Sequence, residues 1–176
     1  MVVASRSYVL RDSGGCRRLE SFGATTVIRA CPSATWAPGL PAGSWKADVS
    51  FTLEPGAASK GRWSGPRLAE LENEAFRLDV ADGWSLGLWP GENGQLGAFP
   101  EQEPNWRWLR EVVQAADRPL RVLNLFGYTG GSTIACAAAS PLARVTHLDG
   151  AKAAVSRARL NAERSGLGDE QVRLWM

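Results

Sequence analysis

At 176 residues and 44% hydrophobic side chains, the chain can bury one substantial core, or one small module plus part of a larger domain, and it lacks the composition of a disordered polymer. Twenty Lys and Arg against 18 Asp and Glu leave a net charge of +2, far from the concentrated positive field of a dedicated nucleic-acid binder. Three cysteines, Cys16, Cys31 and Cys136, without metal-ligand spacing, argue against a disulfide framework and against a zinc site, and point to a reducing, cytoplasmic setting.

The start of the chain, Met1 to Arg11, lacks the basic opening and continuous apolar run of a secretory signal, and no run approaches the roughly 20 apolar residues of a membrane span. An arginine- and serine-bearing start is the composition of a weak transit signal, but Val2, Val3, Tyr8, Val9 and Leu10 read better as a first strand. From Tyr8 to about Phe99, short β-rich pieces alternate with Gly, Pro and Ser, and no sustained 3.6-residue period marks a long helix. Strands are expected at Tyr8 to Leu10, Thr25 to Ile28, Ser50 to Leu53, Ala75 to Val80 and Leu86 to Trp89. Turns are expected at Asp82-Gly83 and Glu92-Asn93-Gly94.

The character changes after Pro104. Asn105 can cap a helix whose apolar positions Leu109, Val112, Val113 and Ala116 recur at helical spacing, and Pro119 ends it. Arg121 to Phe126 is a mainly apolar run of the kind that forms a parallel strand covered on both faces. After Gly127 to Gly131 come an alanine-rich helix, Ser132 to Ala139, a strand, Arg144 to Leu148, and a helix, Lys152 to Ser165, with Gly166 as its C-terminal glycine. Gln171 to Met176 begins a third strand. This β-loop-α-β-α-β order is half of a doubly wound sheet. The expected architecture is α/β: a partial Rossmann-like, doubly wound parallel sheet over 100–176, preceded by a small β-rich N-terminal module over 1–99.

A glycine-rich turn between a buried strand and a helix lets backbone N–H groups approach a ligand closely, where the helix dipole favours negative charge. Here the spacing is Gly-x-x-Gly-Gly, so the dinucleotide fingerprint Gly-x-Gly-x-x-Gly is absent, and a carboxylate-bearing ligand fits better than a pyrophosphate. Nineteen residues after Gly130, Asp149 stands at the end of the second strand, where an acid can accept both hydroxyl hydrogens of a ribose. Taken singly, the glycines could serve only a tight turn and Asp149 only the cap of the next helix; together on one β-α-β they favour a nucleoside site.

At these residues the sequence resembles the class I S-adenosylmethionine-dependent methyltransferases. Val122-Leu123-Asn124-Leu125-Phe126-Gly127-Tyr128-Thr129-Gly130-Gly131 is similar to the first cofactor motif of the branch that includes the bacterial large-subunit rRNA cytosine-5 methyltransferases. His147-Leu148-Asp149-Gly150-Ala151-Lys152 is similar to that branch's second motif, and Ala158 to Leu167 to the helix after it. Leu96 to Gln102, followed by Asn105-Trp106-Arg107-Trp108, resembles the segment leading into its catalytic domain. The resemblance covers about Gly94 to Met176 and implies S-adenosylmethionine as cofactor, RNA as acceptor, and a cofactor site at Gln102, Phe126, Gly127, Tyr128, Thr129, Gly130, Gly131 and Asp149. In it the loop holds the methionine moiety and Asp149 the ribose hydroxyls. Gln102 could equally be a surface amide or a cap of the following helix, and Lys152 reads as a solvated first-turn lysine.

The family's acceptor motif and catalytic cysteine have no counterpart here, so no acid, base or nucleophile is assigned, and none of the three cysteines stands at a matching position. The expectation is an incomplete methyltransferase chain whose first Rossmann strand is an exposed edge, open to self-association. A non-catalytic remnant that binds cofactor or RNA is the alternative, and a nicotinamide-dependent oxidoreductase a weaker one. The tryptophans Trp36, Trp45, Trp63, Trp84 and Trp89 are either stacking platforms for RNA bases or core of the β-rich half. Cys136 and His147 read as packed side chains rather than reactive ones.

Overall fold

A computed structural model describes residues 8–41, 43–71, 76–80 and 83–176, and the chain divides into two compact units. One unit comprises the described residues up to Leu78 together with Leu88–Gly97; the other comprises Asp79–Gly87 with Ala98–Met176.

The first unit is built on a five-stranded sheet of β1 (Tyr8–Gly14), β2 (Arg17–Phe22), β3 (Thr25–Ala30), β4 (Val49–Leu53) and β5 (Gly61–Ser64), in that spatial order. All neighbours are antiparallel except β3 and β4, which run parallel. Gly15 and Cys16, at φ +54° and +60°, make the left-handed two-residue turn that suits the twist of a β1–β2 hairpin. Neither β2 nor β5 is expected from the sequence. In β2 the reason is chemical: Arg17-Arg18-Leu19-Glu20-Ser21-Phe22 reads as polar, yet Glu20 and Ser21 are buried. The Glu20 carboxylate is paired with the buried Arg29 of β3, which donates from Nε to Oε2 at 2.7 Å and from Nη2 to Oε1 at 2.8 Å. A third arginine donor reaches the Gly94 carbonyl at 3.2 Å.

The tryptophans of this unit differ in their surroundings. Trp63 packs tilted against Phe51 and donates to the Gly91 carbonyl, Trp45 donates to Asp12 Oδ2, and the exposed Trp36 donates to the Ser13 carbonyl. Asp12 also accepts from the Gly39 and Leu40 amides, and those backbone bonds together with Trp45 hold its carboxyl below the ordinary carboxylate range. A one-turn helix, α1 (Leu68–Leu71), follows β5, and β6 (Arg77–Val80) pairs with β7 (Trp84–Gly87) in a two-stranded sheet. The expected strands ran from Ala75 and from Leu86. Ala75, and Asp82 of the expected turn, lie outside the described residues, and β7 sits two residues earlier than expected.

The second unit holds a parallel sheet in the order β10-β9-β8, made of β8 (Leu120–Leu125), β9 (Ala143–Leu148) and β10 (Val172–Trp175). Its helices are α2 (Glu103–Ala115), α3 (Gly131–Ala137) and α4 (Lys152–Arg164). Successive β-α-β crossovers share one hand, which puts α3 and α4 on the same face of the sheet. Val145, His147 and Val172 point to that face and are buried, as are Ile134, Ala135, Ala154, Ala158 and Ala162 of the helices. On the opposite face, Leu123, Leu125, Leu148 and Trp175 are 63%, 51%, 40% and 58% exposed. The expectation that the first strand is covered on both faces is therefore corrected: among the described residues one face alone is covered, and β8 ends the sheet. Asn105 is likewise not the cap of α2. That helix begins two residues earlier, continuing a 3-10 turn over Pro100–Gln102, and Pro104 fits its first turn because an N–H there has no intrahelical partner.

Candidate cofactor site

The loop between β8 and α3 has a conformation that few sequences tolerate. Phe126 and Tyr128, both non-glycine, have φ of +55° and +51°, and Gly130 has φ +95°. Left-handed non-glycine residues cost on the order of 1–3 kcal/mol each and persist where their surroundings over-determine them. The surroundings are explicit. The Gly127 N–H donates to the Leu148 carbonyl at 3.1 Å, the Tyr128 N–H to Asp149 Oδ2 at 2.8 Å, and the Gly130 N–H to the Gly127 carbonyl at 3.0 Å. Asn161 Nδ2 donates to the Thr129 carbonyl at 2.9 Å.

Two glycines are there for space rather than for dihedral freedom. A Cβ on Gly127 would lie 2.4 Å from the His147 ring, and one on Gly131 would lie 2.7 Å from Cζ2 of Trp106. Beneath the loop, Asn124 Nδ2 donates to Thr133 Oγ1 at 2.8 Å, and the same hydroxyl meets His147 Nδ1 at 2.8 Å. His147 is fully buried, and desolvation pushes its pKa below the ordinary imidazole value in spite of the opposing field of Asp149.

The loop forms one wall of a cavity of about 230 Å³. Phe126, Gly127, Tyr128, Thr129, Gly131 and Ser132 line it from the loop side, and Leu86, Ala98, Phe99, Gln102 and Trp106 from the other. The Tyr128 ring packs against Phe99 with centroids 5.3 Å apart. Of the expected site residues, Gln102, Phe126, Gly127, Tyr128, Thr129 and Gly131 thus meet around one space, while Gly130 turns the backbone above Ala158 of α4. Gln102 lines the cavity, and its Oε1 accepts from Asn105 Nδ2 at 2.9 Å; its side chain caps no helix. Asp149 does not line the cavity. Its carboxylate sits at the end of β9, joined to the loop through the Tyr128 amide and to the start of α4 through the Ala151 amide, which donates to Oδ1 at 2.9 Å.

Leu86, Ala98, Phe99, Trp106, Ser132 and Asn161 were not among the expected site residues. Nothing in the sequence spacing links Leu86 or Asn161 to the loop, because only the tertiary fold brings them there. Cys136 is buried in α3, where desolvation raises its thiol pKa, and among the described residues no cysteine, histidine or carboxylate lines the cavity.

This arrangement of sheet, loop and helices is shared with solved structures. A crystal structure of the S-adenosylmethionine-dependent methyltransferase from Agrobacterium tumefaciens superposes with a TM-score of 0.83 over 95% of this chain and 51% of that one, at 38% identity. The fold is that of S-adenosylmethionine-dependent methyltransferases. A Streptococcus mutans protein described as a candidate methyltransferase of this kind superposes over 96% of this chain and 45% of its own, with a TM-score of 0.67 and 15% identity. The Pyrococcus abyssi tRNA (uracil-54, C5)-methyltransferase, solved with S-adenosylhomocysteine, covers 90% of this chain and 38% of its own, at a TM-score of 0.51 and 15% identity. At such identity the last two show the fold alone. The chain spans about half the length of the first two structures. No protein-family model matches it, and no curated protein does.

Proposed function

We propose that the chain binds S-adenosylmethionine at the Gly127–Gly131 loop and serves methyl transfer to RNA. The observation that carries this reading is the strained loop itself, which lines a cavity at the carboxyl end of β8 and is tied to the Asp149 carboxylate through the Tyr128 amide. A cavity of about 230 Å³ is smaller than the roughly 300–1,000 Å³ typical of small-molecule pockets, so it takes part of the cofactor only. Leu86, Ala98, Phe99 and Trp106 offer an apolar wall suited to the aliphatic methionine chain, and the loop backbone and Ser132 offer polar groups to its charged end. Asp149 retains lone pairs beyond those used by Tyr128 and Ala151, enough to accept ribose hydroxyls outside the cavity.

When bound, the cofactor supplies an electrophilic methyl group. This chain's own residues bind and orient it: the loop and the aromatic wall set its position, and Asp149 sets its rotation about the ribose. RNA as acceptor draws on the sequence resemblance and on the presence of a tRNA methyltransferase among the structures sharing the fold. The free thiols of Cys16, Cys31 and Cys136 suit a reducing, cytoplasmic setting. A second reading is cofactor binding without turnover, since the lining residues described are apolar, glycine, hydroxyl or amide groups. We also propose that the free edge of β8 is a site of self-association.

The test is calorimetric titration with S-adenosylhomocysteine, with NADH as control. Wild type binds the first and not the second, and Asp149→Asn weakens binding about 10- to 100-fold, the range expected for hydrogen bonds to a charged group. Equal affinity in Asp149→Asn would remove the ribose role. Binding of NADH would favour the oxidoreductase reading.

A further inference from the structure

We infer that Asn161 is a positioning residue for the cofactor site, a latch that fixes the separation of two of the cavity's walls. The inference rests on the cofactor reading above and names a residue that neither the motif spacing nor that reading requires.

Asn161 lies in α4 with no exposed surface, on a helical face that otherwise carries the small apolar side chains Ala154, Ala158 and Ala162. A primary amide in that company is unfavourable unless its polar atoms are all engaged. They are engaged with the backbone of two separate segments, and with neither through its own helix. Oδ1 accepts from the Gly87 N–H at 2.8 Å, and Nδ2 donates to the Thr129 carbonyl at 2.9 Å. Gly87 follows Leu86, and Thr129 sits between Tyr128 and Gly130, so one rigid amide spans from the β7 wall of the cavity to the loop wall. The same helix face supports the loop one turn earlier, where a Cβ on Gly130 would lie 3.2 Å from that of Ala158.

The loop is consequently held at two adjacent residues by different side chains: Asp149 takes the Tyr128 N–H and Asn161 the Thr129 carbonyl. Asp149 faces the proposed ligand and Asn161 does not, because the latter's amide is consumed by protein backbone. Its part is to act through Leu86 and the loop, keeping the strained conformation at Tyr128 in register with the wall opposite.

The chemistry of the two bonds gives a discriminating substitution. Asn161→Asp keeps an acceptor for the Gly87 N–H but sets a carboxylate against the Thr129 carbonyl; protonated, that acid can donate again. Burial raises a carboxyl pKa, so the repaired state is reached at mildly acidic pH. Asn161→Ala loses both bonds at every pH. Ala154→Gly in the same helix serves as a control for general helix destabilisation, since Ala154 makes neither contact.

The experiment is hydrogen exchange of the whole chain, read at Gly87 and across residues 127–131, with S-adenosylhomocysteine affinity measured in parallel. Asn161→Ala is expected to speed exchange at both places at least 10-fold more than Ala154→Gly does at matched global stability, and to weaken binding at least 10-fold. Asn161→Asp is expected to show the same fast exchange at pH 8 and to recover toward wild type near pH 5.5, relative to wild type at each pH. Loop exchange that matches the Ala154→Gly control, or an Asn161→Asp variant without pH dependence, overturns the latch. If wild type binds no S-adenosylhomocysteine, the cofactor reading fails on its own, and the exchange data still decide the latch.

Discussion

Gly131 is the residue at which the loop and α2 compete for the same volume. The Trp106 indole is 4% exposed and meets the Trp84 ring edge-on at 5.4 Å, so it has little room to retreat from a methyl group placed 2.7 Å from its Cζ2. Overpacking of this kind costs about 1–3 kcal/mol. Gly131→Ala is expected to lower unfolding stability by that amount in urea denaturation, and Trp106→Leu in the same chain to recover much of the loss. Strictly additive effects in the double-mutant cycle would show that the indole is not what excludes the side chain. At this scale the sequence was legible only in outline. The Gly-x-x-Gly-Gly spacing pointed to the loop, but the reasons for Gly127 and Gly131 are a histidine from β9 and a tryptophan from α2, which no local pattern reveals.

Between elements, the informative unit is the chain Asn124–Thr133–His147, which joins β8, α3 and β9 under the loop. Its ends were readable, since an apolar run followed by glycines and a run ending at Asp149 are strong strand signals, and the β-α-β-α-β order follows from them. The polar link was not, because a histidine inside a strand carries no mark of what it will face. Burial holds the folded His147 pKa below its unfolded value, so the neutral ring is the form compatible with the fold. The associated stability is fully present above the unfolded histidine pKa, about 6.5, and is lost as pH falls from there toward the depressed folded value. Urea midpoints of wild type should therefore decline from pH 7.5 to pH 5.5, and those of His147→Gln should decline less. A His147→Gln profile parallel to wild type would assign the decline to other groups. The hidden strand β2 is the converse case: its Glu20 looks solvent-bound in sequence, and only the pairing with Arg29 makes its burial intelligible.

At the scale of the whole chain, the decisive feature is a parallel sheet with one face exposed among the described residues. Parallel strands are ordinarily buried on both faces, and a row of unpaired backbone groups along an outer strand is a template for another strand. Here β8 has no second neighbour among the described residues, and Leu123, Leu125, Leu148 and Trp175 stand on the bare face. Covering the exposed parts of four such side chains contributes on the order of 10 kcal/mol at about 25 cal/mol per Å². Association itself costs on the order of 4–15 kcal/mol, a cost that apolar contact of this size roughly offsets, and ladder hydrogen bonds along β8 add to that gain. Arginines weaken face-to-face stacking: Arg121 stands opposite Arg144 in register, and Arg173 is exposed beside them. The edge pairing proposed for β8 should be concentration-dependent. Sedimentation velocity from about 1 to 200 µM is expected to show a reversible rise in mass, abolished by Leu123→Lys, because a charge at an outer strand opposes pairing without removing any buried contact. A mass that stays monomeric throughout that range would leave β8 without the partner strand proposed for it. A rise that Leu123→Lys leaves intact would move the contact elsewhere on the chain.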